Sequence, residues 1–130
     1  MAKRRDERGV TAMEMIIVTP VLLIAFVYIV QWGLLMHAQN GAKAAAEEGA
    51  AVARSLEGTA GQGQATAQRY MNELGSSLFT STSVTADRSG TTASVNVDAE
   101  VVQIFPGLVP STVRASSSGP VERFVEEEAP

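Results

Sequence analysis

From Met13 to Met36 the chain is almost wholly apolar, with one acid, Glu14, at its front. From Met15 onward the stretch is long enough for a helix rising about 1.5 Å per residue to cross roughly 30 Å of hydrocarbon. A secretory signal core is shorter, about 7–15 residues. The spacing therefore predicts a membrane span that stays in the protein. A conventional signal peptide cut near Ala38 is the competing reading. A carboxylate in such a place is costly, about 2.5–3.5 kcal/mol at the bilayer centre and less toward its edge. A retained Glu14 therefore needs a partner.

The segment ahead of the span, residues 1–9, holds Lys3, Arg4, Arg5 and Arg8 against Asp6 and Glu7. Basic residues beside a first span stay in the cytoplasm. This predicts a cytoplasmic N-terminus and a C-terminal part outside the membrane. The whole chain of 130 residues has ten basic and fourteen acidic residues, a net charge of −4. Without the basic leader six and twelve remain, a net of −6. An acidic exported part does not suit phosphate tracking, so no nucleic-acid partner is expected. With no cysteine in the chain, neither a disulfide framework nor a thiolate metal site arises.

Beyond Trp32 and His37 the apolar stretch passes without a break into an alanine-rich segment ending at Leu56. Alanine is the best helix former. One helix from about Thr11 to Leu56 is expected, with Tyr28 and Trp32 at the outer interface. Thr19-Pro20 falls inside it, a kink that membrane helices tolerate. Small residues recur every fourth position at Gly41, Ala45, Gly49 and Ala53, beside a parallel row of Ala38, Ala42, Ala46 and Ala50. Such ridges allow close helix packing. The seam serves the chain's own domain, other subunits, or both on different faces; the sequence leaves these open.

Gly58 to Gly63 reads as a helix stop and flexible turn, without the Lys-Ser/Thr ending of a phosphate loop. A second helix is expected from about Gln64 to Leu74, closed by Gly75. From Ser83 the period changes to two. Val84 and Ala86, then Ala93, Val95, Val97, Ala99 and Val101, alternate with polar residues. Arg88-Ser-Gly-Thr91 supplies a hairpin turn. Phe105 to Pro110 is a loop with apolar exposure, and Thr112 to Ser118 a third strand. The expected class is α+β: a long N-terminal transmembrane and spine helix, a short second helix, and a small antiparallel sheet of about three strands. The division is 1–9 leader, 10–36 span, 37–125 external domain and 126–130 an acidic, disordered tail.

No catalytic constellation emerges. The single histidine, His37, sits at the expected membrane edge, and Ser116 to Ser118 have no histidine near them in sequence. Asp98 and Glu100 share one wet strand face. No metal-ligand spacing is present. The expectation is a non-enzyme without cofactor, metal or small-molecule substrate.

The run Arg8-Gly-Val-Thr-Ala-Met-Glu-Met-Ile-Ile-Val-Thr-Pro20-Val-Leu-Leu resembles a type IV prepilin, and most closely the TadE-like minor pilins of Tad (Flp) systems. Gly9, Glu14 and Pro20 carry the resemblance, with a weaker echo in Ser118-Gly-Pro-Val-Glu-Arg-Phe124. Gln31 stands where TadE-like chains often have a second acid. The resemblance implies cleavage after Gly9 by a prepilin peptidase. Val10 then provides a free amine, and Glu14 becomes the fifth mature residue. A salt bridge from Glu14 to that amine, on the same or a neighbouring subunit, follows as its role. Removing one partner of a buried pair costs about 3–5 kcal/mol, enough to set subunit register. The resemblance further implies a single-pass protein of the bacterial cytoplasmic membrane, incorporated into a pilus. Its partners would be other minor pilins, the major pilin, membrane platform proteins, the prepilin peptidase and the lipid bilayer. The rival is a single-span envelope protein with an external binding module and no pilus role.

Overall fold

A computed structural model describes residues 3–123, with side chains from Gly9 onward. The acidic tail expected at 126–130 and Phe124 lie outside the described residues, as do the leader's side chains before Gly9.

One helix, α1 (Lys3–Arg54), runs 52 residues without interruption, through Pro20. At 1.5 Å per residue it is about 78 Å long. It begins well before the expected Thr11, with no proline between Lys3 and Val10 to stop it, and it ends two residues before Leu56. A second helix, α2 (Ala60–Leu74), follows after a tight turn. Three strands, β1 (Phe79–Arg88), β2 (Thr92–Val101) and β3 (Thr112–Pro120), form an antiparallel sheet in the order β1-β2-β3. The α+β reading holds in full.

Two further boundaries, the starts of α2 and β1, differ from the sequence expectation. Gly58 to Gly63 is not a flexible turn: α2 starts at Ala60, and Gly61 and Gly63 are helical. Thr59 caps the helix. Its Oγ1 accepts from Gln62 N at 3.1 Å, and Gln62 Oε1 accepts from Thr59 N at 3.1 Å. This reciprocal box satisfies two otherwise orphan donors and outweighs the glycines' entropic cost. Strand β1 starts at Phe79, four residues before Ser83, because β2 continues to Val101 and offers Phe79 a partner.

The core lies where the upper half of α1 meets α2 and one sheet face. Ala38, Ala42, Ala45, Ala46, Ala50 and Ala53 are fully buried against Ala67, Met71, Val84, Val95, Val97, Val101 and Val113. Small residues on α1 let the sheet approach its backbone, and valines of β2 fill the space between. The packed domain starts below residue 37: Gln31 is fully buried, and Leu34 and Leu35 pack on the core. The other sheet face, with Asp98, Glu100, Arg114 and Ser116, is wet.

Three helix glutamines tie down the sheet. Gln64 Nε2 donates to Val84 O of β1 at 3.0 Å, and Gln39 Nε2 to Arg114 O of β3 at 2.8 Å. Both edge strands thus have a carbonyl covered, which blunts the tendency of open edges to pair with other chains. The third, Gln31, belongs to the site.

Candidate functional site

From Gly9 to Phe26 every side chain of α1 is exposed, including Val10, Met13, Ile16, Ile17, Leu22, Leu23 and Phe26. A contiguous apolar surface of this extent is covered by something else in the working state. The helix is long and apolar enough to cross a membrane. Val10 and Glu14 are four residues apart, hence on one face one turn from each other. Both are exposed, and Glu14 has no ion-pair partner among the described residues. Gly9 is exposed too, and a side chain there would meet nothing within 4 Å. The environment therefore leaves this position open to any residue sterically, and glycine there is not a packing requirement of the fold. Pro20 is exposed on the same bare half of the helix. With no N–H at Pro20, the Ile16 carbonyl lacks its usual helical donor.

The small-residue seam is brought together within the chain. A Cβ on Gly41 would lie 2.5 Å from Leu74 Cδ1. One on Gly49 would lie 2.7 Å from Gly63 O, and one on Gly63 would lie 2.7 Å from Ala53 Cβ. Ala45 and Ala53 are fully buried. The row Gly41, Ala45, Gly49 and Ala53 thus lies beneath α2, and Ala38, Ala42, Ala46 and Ala50 are buried in the same core. Of the two occupants the sequence leaves open, the chain's own domain takes this surface.

Sequence reasoning passed over the local role of Gln31. It is the one buried polar residue among the described side chains. Its Nε2 donates to Val102 O at 3.0 Å, and its Oε1 accepts from Ile104 N at 2.8 Å. Across more than seventy residues of sequence, the amide pins the β2–β3 connection to the apolar stretch of α1. A lone amide in an apolar run was the available signal, since buried polar groups need partners. Which backbone would supply them was not readable.

The upper end of α1 is closed by Arg88 at the end of β1. Its Nη1 donates to Ala53 O at 2.8 Å, Ser55 O at 3.1 Å and Gly58 O. A cation at a helix C-terminus meets both the orphan carbonyls and the negative end of the dipole. No group of three or more His, Cys, Asp or Glu able to hold a metal occurs among the described residues. The polar groove lined by Glu48, Thr66, Arg69, Tyr70 and Glu73 is open to solvent.

Residues 9–51 match the family model described as TadE-like protein. The matched segment starts at Gly9 and covers the bare apolar half of α1 and most of its small-residue rows. Over that segment the chain is similar to TadE-like proteins. No curated protein and no solved structure matches the chain.

Proposed function

We propose that this chain is a minor pilin, a structural subunit of a Tad (Flp) pilus, and not an enzyme. The carrying observation is one unbroken helix that joins Gly9, Val10 and Glu14 to a bare apolar span and then to a packed α+β head. The TadE-like match beginning at Gly9 supports the same reading. In it, a prepilin peptidase on the cytoplasmic side cuts after Gly9 and leaves Val10 with a free amine. Glu14, one turn along, pairs with that amine on its own or a neighbouring subunit. The apolar part of α1 first lies in the cytoplasmic membrane with the head outside, then packs among other pilin helices. Other minor pilins, the major pilin and the membrane platform are the partners. Burial of the seam under α2 leaves assembly to the lower, bare half of α1.

Replacing Gly9 with leucine in cells with an active prepilin peptidase tests processing. The variant is expected to migrate as the uncut chain, while wild type yields a protein beginning at Val10 by N-terminal sequencing. A native wild-type protein beginning at Met1 supports a plain single-span envelope protein instead. One beginning beyond the span supports release by a signal peptidase near Ala38.

A further inference from the structure

We propose that the β2–β3 connection is a second membrane contact, whose apolar tip rests in the outer leaflet beside the span. This rests on the reading of α1 as a bilayer-spanning helix. Ile104 and Phe105 are exposed, and Phe105 and Leu108 face Leu23, Ile24 and Val27 of α1 across an apolar cleft of about 200 Å³. Val27 and Leu23 lie four and eight residues below Gln31, hence about 6 and 12 Å toward the cytoplasmic end. A span of about 20 residues contains Leu23 to Val27 whether it begins at Val10 or at Met15. The loop tip therefore shares its level with side chains that face acyl chains, and its apolar surface continues theirs.

The chemistry of the loop fits that level. Between Glu100 and Arg114 no residue is charged. Irregular backbone near hydrocarbon must have its polar groups satisfied, and here several are. Gln31 serves Val102 O and Ile104 N. Gln103 Nε2 donates to Val109 O at 3.2 Å, and Val101 N donates to Ser111 O at 2.7 Å. Pro106 and Pro110 have no N–H to satisfy. Gly107, at φ 82°, turns the chain back at the tip, as glycine can without strain. The peptide groups still unpaired favour the register beginning at Val10, in which Val27 and Leu23 lie about 3 and 9 Å inside the outer hydrocarbon edge, shallow enough for water to reach the tip. The Gln31 clamp keeps the loop from swinging off the helix. The occupant of the cleft and of the Ile104–Phe105 surface is lipid acyl chain, before the subunit enters a filament.

The cysteine-free chain allows a direct test. Full-length Phe26→Cys, Phe105→Cys and Ser116→Cys variants are labelled with a polarity-sensitive fluorophore. They are reconstituted at low density in phosphatidylcholine–phosphatidylglycerol vesicles containing lipid with a nitroxide high on its acyl chain. Labels at 26 and 105 are expected to be quenched severalfold more than the label at 116, on the wet sheet face. Quenching at 26, with 105 no more quenched than 116, overturns the loop contact and leaves the span intact. Absence of quenching at 26 sinks the span reading and this proposal with it. Quenching at 105 that falls as protein density rises at fixed lipid supports the same contact, with a second copy displacing lipid as subunits assemble.

Discussion

A carboxamide can donate and accept at the same time, and the site of Gln31 uses both capacities: one backbone acceptor and one backbone donor, in a fully buried position. An ionised carboxylate only accepts. Gln31→Glu therefore places a charge against the Val102 carbonyl and leaves that buried acceptor unpaired, a loss of about 1–3 kcal/mol. Thermal melts of Gln31→Glu at neutral pH are expected to show this loss relative to wild type. By contrast, Arg114 and Asp98 pair at 3.1 Å with side chains 82% and 51% exposed. Such a pair is screened, and Arg114→Ala is expected to shift stability by no more than about 0.5 kcal/mol in the same assay.

Between elements, the decisive contact is the backbone approach of α1 and α2. Gly49 and Gly63 face each other so closely that neither has room for a β-carbon without movement of the partner helix. Gly63→Val is expected to force the helices apart and cost about 1–3 kcal/mol. It would lower the midpoint of thermal unfolding by about 4–8 °C per kcal/mol in a domain of this size. Gly61→Ala is the control. It sits in the same helix, and the nearest atom to a new Cβ is Thr59 Oγ1 at 3.9 Å. It is expected to be neutral or slightly stabilising, since alanine outranks glycine in a helix. A Gly63→Val melt indistinguishable from wild type would show that α2 is not seated as described. Arg88 acts at the same scale, joining the end of β1 to the end of α1.

At the scale of the molecule, the first turns of the apolar helix lie apart from the head. The head takes in α1 from Gln31 upward, whereas the side chains from Val10 to Phe26 are exposed. Glu14→Ala is thus expected to leave the melt of the head and cleavage after Gly9 unchanged, while abolishing incorporation into filaments. Comparison of sheared surface fractions with membrane fractions measures this. Incorporation at wild-type levels would remove the role assigned to Glu14. Gly9, exposed and without neighbours, is likewise expected to matter for processing and not for folding.

Local periodicity by itself determined much of this protein. The apolar run, the alanine-rich extension, the alternation of Ala93 to Val101 and the Arg88–Thr91 turn are patterns within short windows, and each encodes its element directly. The span and the Gly9–Val10–Glu14 spacing are legible for the same reason, since neighbours along one helix have fixed geometry. What only the tertiary structure decided depends on pairs distant in sequence. The start of β1 at Phe79 depends on the reach of β2. The owner of the Gly41–Ala53 seam depends on where α2 lands. The partners of Gln31 and the level of the Phe105–Leu108 tip follow from how the β2–β3 connection folds back on the span. A periodic pattern says which face is apolar, but burial needs a second surface, and that surface exists only once the chain has closed on itself.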